Sequence, residues 1–212
     1  MTHTNKGNVN MRFLDLEDAV KECEPLLDAK WELQKDSKDK DTGFIYYCKN
    51  ISQVIDLAMS NEVDIAYSVH RWFNFVTSKM AEELFEQFGA KPEKDPKNHE
   101  IDFYLKDIAF DLKLTTMPQI SDQNTLKTRK ERNDLIKWLY KNQSQQSRKH
   151  NSNKIFIVCD AGNKHDSMML KCNIEKLSEG ISKFVSYYNK KDFNTVKIDE
   201  KTVFSDIIYI KI

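Results

Sequence analysis

Residues 100–114 read EIDFYLKDIAFDLKL. A two-residue turn at Lys106-Asp107 folds this stretch into a β-hairpin, with strands over 100–105 and 108–115. Leu105 then faces Ile108, Phe103 faces Phe110 and Ile101 faces Leu112, with Leu114 beyond. Side chains alternate between the two faces of a strand, so this face is wholly apolar and its burial specifies the register. Lys-Asp is not a favoured pair for such a turn. The other face sets Asp102 opposite Asp111 and Lys113 opposite Glu100, with Tyr104 and Ala109 between them and the turn. Directly opposed Cβ atoms lie about 4.5–5.5 Å apart. Two carboxylates at that separation repel unless a proton or cation sits between them. A hard divalent cation such as Mg²⁺ binds through oxygen ligands of this kind. The bland alternative is a solvated polar strand face, on which acid-lysine alternation is common.

The segment from Asp64 to Phe88 has the spacing of a long helix. Its apolar stripe is Phe73, Val76, Met80, Leu84 and Phe88, and Gly89 suits its C-terminal cap. Trp72, Phe75 and Phe85 lie off the stripe, which predicts cover on more than one side. KPEKDPKNH, 91–99, reads as a polar loop. After the hairpin come a helix near 126–141, a polar tract over 142–153, a buried strand KIFIVCD at 154–160, a helix over 167–188 and a last strand over 204–212. Strand-helix-strand succession implies a parallel pair and a helix-covered sheet. Upstream, residues 1–12 read as disordered, 13–33 as helical with a break at Pro25, 34–43 as a loop and 51–60 as a short helix. GFIYYCKN, 43–50, reads as a short strand or the start of that helix.

The 212 residues suit one generous domain with a helical extension. At 40% hydrophobic and 11% aromatic the chain builds a sizeable core, while 31% charged residues and a mean hydropathy of -0.66 predict solubility. No apolar run approaches the roughly 18 residues of a membrane span. MTHTNKGNVNMRF lacks an apolar signal core, so the expected location is the cytoplasm and no membrane partner is expected. Cys23, Cys48, Cys159 and Cys172 are dispersed without a CxxC pair, which argues for buried thiols. The net charge is zero but unevenly spread. Residues 15–41 hold ten acids and five bases, whereas 126–154 hold nine Lys or Arg against Glu131 and Asp134. Such a local positive excess attracts a polyanion.

Asp102, then eight residues, then Asp111-Leu112-Lys113 resembles the motif of the PD-(D/E)XK nuclease superfamily, the restriction-endonuclease-like fold. The D-x-K triplet alone is weak, but the order of elements strengthens the likeness. The core of that family runs helix, strand, strand, strand, helix, strand, and 64–88, 100–105, 108–115, 154–160, 167–188 and 204–212 follow the same series. The resemblance covers roughly residues 64–212. Ile101 stands where the motif has proline, and residues 116–153 form an insertion between the second and third strands.

The resemblance implies an α/β fold with a restriction-endonuclease-like core, a central mixed β-sheet flanked by helices. Residues 64–212 would form that core with a basic insertion at 116–153, and residues 1–63 an N-terminal helical extension. It implies a Mg²⁺-dependent DNA endonuclease, with Mn²⁺ as a substitute. Asp102 and Asp111 hold the metal with the Leu112 carbonyl, and Lys113 positions water or stabilises charge on the phosphate. Many members add a carboxylate from the first helix, for which Glu82 and Glu83 are candidates. Glu82 is preferred because it shares a second stripe with Asn74, Ser78 and Phe85, where a buried carboxylate needs a partner. Contact with double-stranded DNA falls to Lys127, Arg129, Lys130, Arg132, Arg148 and Lys149. The size suits a restriction enzyme acting as a homodimer, although repair and junction nucleases share the core. Two competing readings remain: a non-catalytic nucleic-acid-binding protein of a defence or repair system, and a scaffold built on the acidic N-terminal helices. His70, His99 and His165 lack metal-ligand spacing, and the aromatic residues sit mostly at core-like positions.

Overall fold

A computed structural model describes residues 22–27, 36–95, 98, 100–118, 126–142, 151–189 and 191–212. The chain divides into two compact units, Met1–Met80 and Ala81–Ile212. The described part is α/β, with a six-stranded mixed sheet flanked by helices. Among the described residues no helix is long and apolar enough to cross a membrane.

The first unit is helical where it is described. Residues 22–27 are helical, and α1 spans Asp36–Asp41, α2 Ile51–Ser60 and α3 Ile65–Gln87, whose last turns belong to the second unit. GFIYY forms a 3-10 turn, Gly43–Tyr47, rather than a strand, and it buries Ile45. Arg71 anchors it, donating to the Tyr46 hydroxyl at 2.9 Å and the Thr42 hydroxyl at 2.6 Å while pairing with Asp39 at 3.2 Å. Asn50 caps α2 by accepting from the Gln53 N–H at 3.0 Å. Trp72 is fully buried and donates its indole N–H to the Cys48 carbonyl at 3.1 Å.

In the second unit the strands are β1 (Lys91–Pro92), β2 (Phe103–Leu105), β3 (Ile108–Thr116), β4 (Lys154–Asp160), β5 (Thr195–Ile198) and β6 (Lys201–Lys211), in the spatial order β1-β2-β3-β4-β6-β5. The β3-β4 and β4-β6 pairs are parallel, and the others are antiparallel. Helix α4 (Arg129–Asn142) sets Leu135, Ile136, Leu139 and Tyr140 against Phe156, Val158 and Ile207 on one face of the sheet. Helix α6 (Ile174–Tyr188) covers the opposite face, where Gly180 lies against Ile208 and Ile210. The helix expected over 167–188 is broken. Residues Lys164–Met169 form α5, Leu170–Cys172 a 3-10 turn, and Asn173 restarts the chain as α6 by accepting from the Lys176 N–H at 3.0 Å. Two strands escaped the sequence reading. β1 is two residues long and contains a proline, and β5, TVKI, pairs with the start of β6 through a turn that holds Asp199 at φ 49°. All four cysteines are free and buried.

Candidate active site

The hairpin turns at Lys106-Asp107 with φ of 50° and 61°, the left-handed pair a two-residue hairpin turn requires. Leu105 faces Ile108, Tyr104 faces Ala109 and Phe103 faces Phe110, the register derived from burial. On the apolar face Phe103 stacks on Phe85 of α3, centroids 4.5 Å apart, and Phe110 packs on Phe193 at 5.0 Å. These aromatic contacts hold the hairpin as a rigid platform.

At Asp102 the ladder departs from the expected pairing. Strand β2 begins at Phe103, and the Asp102 N–H donates to the Phe110 carbonyl at 2.9 Å instead of facing Asp111 squarely. The Asp102 carboxylate accepts from the Leu112 N–H at 2.8 Å. It thereby takes the rung a longer β2 would have supplied. The Asp111 N–H points the other way, to the Asn153 carbonyl at 3.0 Å. Since N–H and C=O of one strand residue point to the same side, the Leu112 carbonyl faces the Asp102 side.

Asp111 is 7% exposed, and its carboxylate is gripped from two sides. Lys113 Nζ lies 2.5 Å from Oδ1, and Lys154 Nζ contacts Oδ2. Lys154 is the register partner of Asp111 on β4 and is only 2% exposed. Its ammonium also reaches the Ser152 hydroxyl at 3.3 Å and lies 5.8 Å from the centroid of the Tyr140 ring. Tyr140, on α4, roofs the cluster and donates its hydroxyl to the Ser152 carbonyl at 2.7 Å. Burial lowers the Lys154 pKa, with Asp111 acting in the opposite direction, and burial pushes the Tyr140 hydroxyl up. A pocket of about 380 Å³ opens beside the hairpin, lined by Glu100, Ile101, Ala109 and the segment 151–153.

The structure therefore brings Asp102, Asp111, Leu112 and Lys113 together and adds Lys154, which the sequence reading passed over as the first residue of an apolar strand. A lysine leading an otherwise apolar run such as KIFIVCD was the available signal. Glu82 and Glu83 are half-buried on α3. Among the described residues no group of three His, Cys, Asp or Glu side chains gathers to hold a metal ion, so neither glutamate completes a three-carboxylate cluster with Asp102 and Asp111. The donors that fit a divalent ion are those two carboxylates and the Leu112 carbonyl, all hard oxygens.

Arg129, Lys130 and Arg132 sit in the first turn of α4, and Lys127 precedes it. Arg129 donates to Asn194 at 3.0 Å, Arg132 donates to the Ile207 carbonyl at 2.6 Å, and Lys127 and Lys130 are exposed. With a rise of about 1.5 Å per residue, Arg129 and Arg132 precede Tyr140 by roughly 12–17 Å along the helix. They stand at the far end from the acidic cluster. Arg148 and Lys149 lie outside the described residues. No protein-family model, curated protein or solved structure matches the chain.

Proposed function

We propose that this protein is a metal-dependent DNA endonuclease of the PD-(D/E)XK type. The observation that carries the reading is the Asp102–Asp111–Lys113 cluster on the hairpin; the series α3, β2, β3, β4, α6, β6 supports it, with β1, α4, α5 and β5 as additions to that family's core order. Asp102, Asp111 and the Leu112 carbonyl would hold Mg²⁺ or Mn²⁺, which when bound polarises a phosphodiester and lowers the pKa of water. Lys113, with its side chain 45% exposed, faces the space a phosphate must enter and offsets negative charge developing there. Lys154 fixes the Asp111 carboxylate from behind, and the Tyr140 ring lies over the Lys154 ammonium. Double-stranded DNA is the substrate, cut by a homodimer in the cytoplasm.

A second reading rests on the ion pairs of Asp111. Two ammonium groups already neutralise this carboxylate, and the Asp102 carboxylate accepts from the Leu112 N–H, an arrangement that a non-catalytic nucleic-acid-binding protein can also carry.

The test is nicking of supercoiled plasmid in Mg²⁺, Mn²⁺ or EDTA, with Asp111→Asn and Lys113→Ala beside the wild type. Metal-dependent nicking that drops at least 100-fold in both variants establishes the site. Absence of nicking in every metal, with DNA binding retained, overturns the nuclease reading in favour of the second.

A further inference from the structure

A second concavity, of about 830 Å³, lies between the start of α4 and the end of α6, over residues 206–209 of β6. It exists because β5 is short. β5 pairs with β6 only from Lys201 to Phe204. Asn194 extends the ladder by one rung, its carbonyl accepting from the Ser205 N–H at 3.0 Å and its amide donating to the Ser205 carbonyl at 2.8 Å. At the next rung side chains replace a strand. Arg132 donates to the Ile207 carbonyl at 2.6 Å, and the Ile207 N–H donates to the Asp206 carboxylate at 2.7 Å. Edge groups satisfied this way oppose the addition of a further strand and leave the cleft open.

The lining is basic and aromatic. Among the described residues the lining cations are Lys127, Arg129, Arg132 and Lys183; Arg132 is paired with Asp206 at 3.8 Å and Lys183 with Glu179 at 2.6 Å, so Lys127 and Arg129 are the cations the cleft offers, with Asp192 on its wall. Asp206 is consumed internally by the Tyr188 hydroxyl and the Ile207 N–H. Tyr187 is 57% exposed, although most large rings of this unit are buried. Its ring stands edge-on to Tyr188, centroids 4.9 Å apart at 87°, and Tyr188 stacks on Phe193 at 4.6 Å and 17°. The ring is thus packed on one side by Tyr188 and more than half exposed on the other. The N-terminus of α4 adds no anion site of its own, because Glu131 accepts from the Lys127 and Thr128 N–H groups at 2.8 and 3.0 Å.

We infer that this cleft binds a short single-stranded polynucleotide, with a base stacked on Tyr187 and the flanking phosphates on Lys127 and Arg129. Stacking on a bare aromatic ring beside cations is the chemistry that holds single strands with little sequence preference. A duplex keeps its base faces covered and cannot use the ring. The inference stands apart from the nuclease reading, because binding here requires neither a metal nor Asp111.

The experiment is fluorescence anisotropy of the full chain with 5′-labelled ten-nucleotide oligo(dT) and oligo(rU), in EDTA, over a series of salt concentrations. A blunt duplex of equal length and the mononucleotide AMP serve as competitors. Single strands are expected to bind more tightly than the duplex. Tyr187→Ala is expected to weaken binding between about fivefold and a hundredfold, and Tyr187→Phe to retain it. Lys127→Ala/Arg129→Ala is expected to flatten the dependence of log K on log salt by about 1.4, because two phosphates are no longer neutralised. Preference for dT or for rU assigns the strand chemistry, and either result supports the inference. No binding of either strand at low salt, equal affinity for the duplex, full displacement by AMP alone, or indifference to Tyr187→Ala overturns it. Plasmid nicking without oligonucleotide binding therefore refutes only this inference, and binding without nicking refutes only the nuclease reading.

Discussion

Removing Asp111 should damage the fold as well as any chemistry, and the damage should be repairable from the opposite side of the ion pair. Lys154 is 2% exposed, and its ammonium has Asp111, the Ser152 hydroxyl at 3.3 Å and the face of Tyr140 as its immediate surroundings. In Asp111→Ala the lysine keeps a charge without its direct counter-ion, a change that costs about 3–5 kcal/mol in buried pairs. Lys113 supplies no relief, because a second ammonium only adds repulsion. Lys154→Met instead leaves Asp111 with Lys113 at 2.5 Å and removes the desolvated ammonium, so its cost should stay under about 2 kcal/mol. In the double variant Asp111→Ala/Lys154→Met the methionine should recover about 2 kcal/mol or more relative to Asp111→Ala alone. Lys113→Ala, at a half-exposed position, should change stability by no more than about 1 kcal/mol. Urea unfolding followed by circular dichroism, with amide exchange of β4 reporting on the second unit, measures all four variants. A double variant less stable than Asp111→Ala would refute the reasoning, because Lys154 would then contribute by packing and not as a charge needing its partner. The double variant also supplies a folded protein without the carboxylate, which separates loss of nicking from loss of structure.

Three further outcomes follow from the geometry. Lys106→Asn/Asp107→Gly replaces two side-chain residues at φ of 50° and 61° with the pair that type I′ turns favour, and should raise stability by about 1 kcal/mol even though it removes the exposed Lys91–Asp107 ion pair, as read by the urea midpoint. Gly180→Ala should destabilise by roughly 1–3 kcal/mol despite the better helix propensity, because the added methyl overlaps Ile210 Cδ1 and meets Ile208 Cγ2 at 3.1 Å; a thermal melt equal to that of wild type would contradict this packing. Burial pushes the Cys159 thiol up to about 12, whereas the unfolded chain loses that proton near 9. Stability present below pH 9 is therefore lost as pH rises from 9 to 12, by as much as about 4 kcal/mol from this group, and Cys159→Ala should flatten the alkaline decline in chemical denaturation.

Local sequence determined the hairpin and its register, because alternation over FYL and IAF leaves only one pairing that buries Phe103, Leu105 and Phe110. It also determined β4, an apolar run bounded by polar segments, and the helical character of α3 and α4. The break at Asn173 lies within helical spacing on both sides, and its capping role emerged only in the structure. Tertiary structure decided the rest. Whether Asp102 faces Asp111 squarely depends on where β2 ends, and that end is set by the competition of a carboxylate for the Leu112 N–H. Lys154 became part of the site only when β4 paired in parallel beside β3, since register between strands more than 40 residues apart is written in no local pattern. The separation of the basic residues from the acidic cluster has the same origin. Arg129 and Arg132 lie at the start of α4 and Tyr140 near its end, so this helix spaces the arginines about 12–17 Å along its axis from the ring that covers Lys154.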